Sequence, residues 1–163
     1  MVCIIPLEHR DQAMAGEIHE LQTLAYQQEA RLLNVSVFPP LERKVEDVMA
    51  SDEYFLGAIQ EETLVGVLSF GRDEEPGQVL ITSLVVHPHH QRMGNARALI
   101  EELLRMGPNE VFSVCTARAN TPALALYRGV GFIEYRFGTI GPEALPLVKL
   151  RRPSSNPSVA RTG

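Results

Sequence analysis

The sequence predicts one α/β domain: a mixed, mostly antiparallel sheet of six or seven strands with about four helices around it. Three observations carry that prediction. The 163 residues, 45% hydrophobic and 21% charged, suit a single globular unit and leave little room for two. The apolar period changes from helical to β-type at Tyr54. A strand, an amphipathic helix and a second strand then follow one another between Gln78 and Ala117, which makes the two strands parallel neighbours in a right-handed crossover.

The elements follow in chain order. Val2 to Ile5 is a short apolar start that Pro6 ends. Over Asp11–Leu33 the residues Met14, Ile18, Leu21, Leu24, Ala25 and Leu32 recur at helical spacing and predict a long helix. Asn34–Pro40, closed by two prolines, cannot continue it and reads as a loop, after which Leu41, Val45, Val48 and Met49 suggest a second, short helix. Tyr54–Gln60, Thr63–Gly71 and Gln78–His87 are expected strands, and their separators Glu61-Glu62 and Asp73–Gly77 are short enough for antiparallel hairpins. Pro88 stops the third strand. Ala96, Leu99, Ile100, Leu103 and Leu104 then trace the clearest helical face in the chain, ended by Gly107-Pro108. Val111–Ala117 reads as a strand, Asn120–Gly129 as a short helix, and Phe132–Ile140 and Leu145–Leu150 as closing strands. One domain over residues 1–152 is expected, with Pro153–Gly163, nearly devoid of apolar residues, as a disordered tail.

Composition narrows the function. Cys3 and Cys115 are too few for a disulfide framework or a thiolate metal site and suit a reducing, cytoplasmic setting. No apolar run approaches the ~18 residues of a membrane span, and the N-terminus lacks the pattern of a signal peptide, so neither membrane insertion nor secretion is expected. A net charge of −5 has the wrong sign for a general nucleic-acid binder. That charge is unevenly spread: residues 42–75 carry ten acids and a local sum of −7, residues 87–136 carry six arginines and a local sum of +2. Two solvated faces would produce this, and so would an anion-binding half beside a half that attracts cations.

The most informative stretch runs Leu84-Val85-Val86-His87-Pro88 and then Gln91-Arg92-Met93-Gly94-Asn95-Ala96-Arg97. A strand ends, a loop with small residues follows, and a strongly periodic helix begins. Free N–H groups at a helix N-terminus together with small residues admit a phosphate close to the backbone, although a plain tight turn has the same residues. Neither GxxxxGK[ST] nor GxGxxG is present. A second block reads Asn120-Thr121-Pro122-Ala123-Leu124-Ala125-Leu126-Tyr127-Arg128-Gly129-Val130-Gly131-Phe132.

With both blocks in this order and separation, the chain resembles the GCN5-related N-acetyltransferases (GNAT). Their acetyl-CoA motif is Gln/Arg-x-x-Gly-x-Gly/Ala after a strand that commonly ends Val-x-Pro, and their second motif is Asn-x-x-Ala-x-x-Leu-Tyr-x-x-x-Gly-Phe. The two motifs fix the chain from about Gln78 to Phe132; residues 1–53 agree only in pattern. The resemblance implies a GNAT-like fold whose strands Gln78–His87 and Val111–Ala117 splay apart to admit the pantetheine of acetyl-CoA, held by backbone groups of Leu84, Val85 and Val86. It implies pyrophosphate binding by the N–H groups of Met93, Gly94, Asn95, Ala96 and Arg97, with Gln91 in the same motif, charge from Arg92 and Arg97, and Asn120 both capping its helix and reaching the pantetheine. Acetyl-CoA would be a cosubstrate, and no metal is expected.

Tyr127 is the expected catalytic residue, a phenol able to protonate the departing CoA thiolate. No acid stands on Gln78–His87 to act as base. Thr82 and Ser83 could orient a water, and a base could come from Glu29, His19 or Tyr26 or from the acidic 42–75 stretch, unless the amine arrives neutral. His87, His89 and His90 look like a metal cluster, but Pro88 splays them and no carboxylate or thiolate accompanies them. Cys115 is expected to be a small core residue. The expected activity is acetyl transfer by direct attack of a primary amine, because no cysteine or serine stands in an activated arrangement. The alternative is a non-catalytic CoA-binding sensor or regulatory module on the same fold. The acceptor is a small-molecule or peptide amine, met by the first two helices, the Asn34–Pro40 loop with Phe38, and the Asp73-Glu74-Glu75 hairpin. Nucleic acid and membrane are not expected partners, and a homodimer is left open.

Overall fold

The computed structural model of the chain describes residues 2–155. Its strands are β1 (Cys3–Pro6), β2 (Tyr54–Gln60), β3 (Thr63–Arg72), β4 (Gln78–Val86), β5 (Val111–Ala117), β6 (Ile133–Ile140) and β7 (Leu145–Arg152), and its helices α1 (Gln12–Leu33), α2 (Val45–Ala50), α3 (Asn95–Met106) and α4 (Thr121–Gly129). The seven strands form one sheet in the order β1-β2-β3-β4-β5-β7-β6, and every neighbouring pair is antiparallel except β4–β5. The expected architecture is therefore the observed one. Leu41 belongs to a 3-10 turn (Pro39–Glu42) rather than to α2. Of the expected tail, the Ser154 hydroxyl donates to the Pro108 carbonyl, and residues 156–163 lie outside the described residues.

Local chemistry sets the helix limits. The Asp11 carboxylate accepts from the Met14 N–H at 3.0 Å to start α1, and Asn34, in the left-handed region at φ 55°, ends it. Ala15, Ile18, Leu21, Gln22 and Ala25 are its buried face, laid on Phe55, Val67 and Val85 of one sheet face. Leu24 and Leu32, expected on that face, are exposed. Helix α3 buries Leu99, Ile100 and Leu103 against the opposite face with Leu68, Ile81 and Phe112.

Lys149 joins the two halves of the sheet. Its ammonium on β7 lies 2.7 Å from Asp73 and 3.2 Å from Glu75 of the β3–β4 hairpin, and Asp73 also accepts from the Ser113 hydroxyl of β5 at 2.6 Å. The Asp73 side chain is only 2% exposed. Burial alone would raise its pKa, but the bonds from Lys149 and Ser113 outweigh that and hold it below its ordinary 3.8. Lys149 is pushed above its ordinary value: burial opposes the charge, and the two carboxylates more than restore it.

Lys149→Met should therefore cost about 3 kcal/mol at pH 7, because Asp73 is left buried without its cation. Urea denaturation at two pH values checks this. Asp73 has a depressed folded pKa, so its contribution is complete above the unfolded pKa and is lost as pH falls through the folded one; the gap between variant and wild type should shrink below pH ~4.

Candidate functional site

β4 and β5 pair only from Gln78–Ile81 to Val111–Val114. Beyond that, β4 continues to Val86 and β5 to Ala117 without pairing to each other. The cause lies on the other edge of β4. Ser69 pairs Ser83 and Phe70 pairs Ile81, so Thr82 is an extra residue. A bulge of this kind adds local twist and bends its strand, here away from β5.

Two cavities meet in the gap. The first, about 550 Å³, runs from Leu84, Val85 and Val86 to the start of α3, where Gln91, Arg92, Gly94, Asn95, Ala96 and Arg97 line it. The second, about 250 Å³, lies between Tyr26 and Phe38 on one side and Leu145 and Leu147 on the other, with Thr82 and Cys115 also in its wall. Glu29, Leu84, Asn120, Ala123 and Tyr127 border both and mark their junction.

The loop before α3 is shaped to keep its backbone open. Arg92 and Gly94 stand at φ 62° and 81°, and a Cβ on Gly94 would meet no atom within 4 Å, so that position faces open space. The first intrahelical bond runs from the Ala98 N–H to the Gly94 carbonyl, which leaves the N–H groups of Asn95, Ala96 and Arg97 outside the helical ladder. Buried Asn95 ties the loop down by donating to the His90 carbonyl at 3.1 Å, and the Gln91 amide donates to Gln28 of α1 at 2.7 Å. Met93 is the exception: its side chain is 61% exposed and borders neither cavity. His87 caps the Pro88–His90 turn by accepting from the His89 N–H, a local use of its ring nitrogen.

Tyr127 is 5% exposed, its ring edge-on to Phe132 with centroids 5.5 Å apart. Burial pushes its phenol well above the ordinary value, and the nearby charge of Glu29 adds to the shift. Asn120 accepts from the Ala123 N–H to cap α4 and donates to the Glu29 carboxylate at 3.0 Å. Burial raises the Glu29 pKa, with the Asn120 bond drawing it partly back. Tyr26 shares a 2.6 Å hydrogen bond with the Ser83 hydroxyl, and burial raises it to about 12.

Several expectations are corrected. None of the ten acids of residues 42–75 lines either cavity. Asp73 and Glu75 are bound to Lys149, and Glu53 accepts from Ser51, Thr82 and Arg43. The acceptor side keeps Phe38 and Pro40 but not the Asp73-Glu74-Glu75 hairpin. Thr82 is committed to Glu53 and Ser69, and His19 donates to the Arg43 carbonyl. Cys115 is not a core residue: it follows the last β4–β5 pair at Val114, is exposed, and borders the smaller cavity. Of the six arginines in 87–136, only Arg92 and Arg97 border the cavities, Arg97 while paired with Glu101; Arg105, Arg128 and Arg136 pair elsewhere with Glu102, Glu134 and Glu75, and Arg118 lies over Phe137. The junction role of Glu29 had a faint signal in the sequence: it follows Ala25 by four residues, so a carboxylate stands where the buried face of α1 continues.

Comparison with known proteins places this geometry. Residues 16–132 match the family described as acetyltransferase (GNAT). A curated relative, UPF0157 protein YqkA of Bacillus subtilis (strain 168), is 36% identical over 127 residues, which are 77% of this chain and 36% of that protein. The chain thus spans about a third of that relative's length. The ribosomal-protein-S18-alanine N-acetyltransferase of Escherichia coli shares the fold at TM-score 0.72 and 16% identity, covering 96% of both chains. YncA of Salmonella typhimurium, solved with its cofactor acetyl-CoA, does so at TM-score 0.71 and 19% identity, covering 95% of this chain and 94% of its own.

Two substitutions test this description without any ligand. Gly94→Ala should destabilise the fold by about 1 kcal/mol, the cost of a Cβ in the left-handed region, although nothing blocks the new methyl. Cys115→Ala should change stability by less than ~0.5 kcal/mol, as suits an exposed position, where a core cysteine would cost more. Urea midpoints at constant m-value read both.

Proposed function

The chain belongs to the acetyltransferase (GNAT) family, and on that premise we propose that it moves the acetyl group of acetyl-CoA to a primary amine of a small molecule or peptide by direct attack. One observation carries the reading: the gap between β4 and β5 opens unpaired strand backbone beside Tyr127 and runs without interruption to the N-terminus of α3.

The residues suit a nucleotide-bearing thioester. The open space before Gly94 and the free N–H groups of Asn95, Ala96 and Arg97 would hold the pyrophosphate, with the Arg92 and Arg97 side chains adding charge. Strand backbone from Leu84 to Val86 faces the gap and would take the pantetheine amides, with Asn120 opposite. When bound, acetyl-CoA supplies an electrophilic acyl carbon and a thiolate leaving group. Tyr127 is protonated throughout the neutral range, as a proton donor to that thiolate must be. Cys115 borders the acceptor side, so an acyl-enzyme route deserves weighing. Although the residue is exposed, the cavity wall partly desolvates its thiol and raises the thiol pKa, and among the described residues no histidine lines that cavity, so the thiol is not activated and direct attack is favoured.

A thiol-release assay with acetyl-CoA and a panel of primary amines tests the reading. Tyr127→Phe should lower kcat roughly 100-fold or more with little change in acetyl-CoA affinity. Gly94→Val should abolish acetyl-CoA binding while the protein remains folded. Acetyl-CoA binding without turnover on any amine would overturn transfer and leave a CoA-binding module. Unchanged affinity in Gly94→Val would remove the cofactor site.

A further inference from the structure

We propose that Glu29 of α1 both anchors the acceptor ammonium and removes its proton, and that the cavity beyond it selects a primary amine carried on a compact apolar body. The proposal rests on the acetyl-transfer reading above and adds the base and the acceptor class to it.

Position is the first ground. Glu29 is one of the five residues at the junction of the two cavities, contributed by α1, and its charge is felt by Tyr127. A carboxylate there meets an amine entering from the smaller cavity as it approaches a thioester delivered through the larger one. Availability is the second. Among the described residues no lysine, arginine or histidine forms an ion pair with Glu29; its hydrogen bond is to the neutral Asn120 amide. Two other carboxylates whose charge reaches lining residues of the smaller cavity are taken: Glu53, felt by Tyr26, by Arg43, and Asp73, felt by Cys115, by Lys149. A half-buried carboxylate without a cation stabilises an incoming ammonium more than a paired one does, and a pKa above the ordinary carboxylate value makes it a stronger base. The titratable groups around it are Tyr26 on its own helix, Tyr127 of α4 and Cys115 of β5 across the smaller cavity, with His90, Arg92 and Arg97 in the larger one.

The wall of the smaller cavity sets the class of acceptor. Around Glu29 stand Tyr26, Phe38, Pro40, Ile140, Leu145 and Leu147, a mainly apolar wall interrupted by Thr82, Ser83, Cys115, Thr116 and Asn120, with one acid among the described lining residues. A polyamine or aminoglycoside would bring further charges with no partners there. An arylalkylamine or branched alkylamine brings one charge and an apolar body, and about 250 Å³ accommodates it.

The protons balance. The ammonium gives one proton to the Glu29 carboxylate; the freed lone pair forms the C–N bond as the C–S bond breaks. The Tyr127 hydroxyl protonates the departing thiolate, and the second proton lost from nitrogen restores the phenol. One proton in total is released to water, from Glu29.

The test compares wild type with Glu29→Gln, which keeps an oxygen for Asn120, and with Glu29→Asp, using phenethylamine and spermidine as acceptors. Calorimetry with acetyl-CoA should give the same affinity for all three proteins within twofold, which reports an intact fold and cofactor site. At pH 7 Glu29→Gln should lose at least 100-fold in kcat/KM for phenethylamine, and the deficit should shrink as pH rises towards the amine's own pKa, where the neutral amine needs no base. Glu29→Asp should recover part of the activity. Phenethylamine should exceed spermidine at least tenfold in kcat/KM. A deficit constant across pH, or below threefold, overturns Glu29 as base while acetyl transfer stands; a preference for spermidine overturns the acceptor class. Acetyl-CoA binding by wild type without thiol release on either amine or on the wider panel overturns the transfer reading itself, and the base with it.

Discussion

The fold turns on four residue pairs. β4 and β5 are the only parallel neighbours in the sheet, and their ladder stops at Ile81–Val114. Backbone N–H and C=O groups need partners, and a strand edge facing the interior of a domain without them is costly. A seam that opens after four pairs therefore commits the surrounding structure to an edge that another chain of amides can satisfy. Tyr127 and Asn120 of α4 stand on one side of that opening, Tyr26 and Glu29 of α1 on the other. Both helices are placed by the cores on the two faces of the sheet, which are complete without the gap.

What keeps the seam from closing is at its two ends. The Thr82 bulge bends β4 away, and the interaction of Thr82 with Glu53, itself held by Arg43 and Ser51, fixes the bulge from outside. At the paired end, Lys149, Asp73 and Ser113 lock β7, the β3–β4 hairpin and β5 together. Three of the acids that composition suggested might attract a substrate, Glu53, Asp73 and Glu75, are thus structural; Asp73 and Glu75 join the two halves of the sheet through Lys149. Ion pairs of this kind are neutral and leave the net charge of −5 unchanged; among the described residues the cavity walls carry a short list of charged side chains, Arg92 and Arg97 at one end, the latter paired with Glu101, and the Glu29 carboxylate at the junction.

Legibility in the sequence followed the range of the interaction. Gln91–Ala96 could be read because a strand end, a left-handed glycine and a helix start are local demands made within a few residues. Asn120–Phe132 could be read because a cap and a packed tyrosine impose fixed spacing on one short helix. The β2-β3-β4 hairpins and the parallel β4–β5 crossover followed from loop lengths, whereas the pairings of β1 with β2 and of β7 with β5 join strands distant in the chain and had no local mark. The bulge left no mark, since Ile81-Thr82-Ser83 is an ordinary strand sequence and the slip depends on β3. The Lys149–Asp73 pair spans 76 residues, so the acidic hairpin looked free when it was not. Cys115 was misplaced because an apolar run such as Val111–Ala117 reads as buried throughout, whereas Cys115 lies just past Val114, where β4 stops pairing with β5 and the cavity opens.

Glu29 and Tyr127 are coupled by more than proximity to one opening. A carboxylate charge near a buried phenol disfavours phenolate, so ionised Glu29 helps keep Tyr127 protonated. On the proposed reaction, arrival of an ammonium would offset the carboxylate charge and transfer of its proton would remove it. The penalty on phenolate would therefore be smallest at the stage when Tyr127 gives up its proton to the leaving thiolate. In a site of low dielectric such coupling is stronger than in water. On that reading, the charge that adds to burial in keeping Tyr127 protonated in the free protein would be cancelled by the acceptor itself, and the donor would become stronger once an amine has entered.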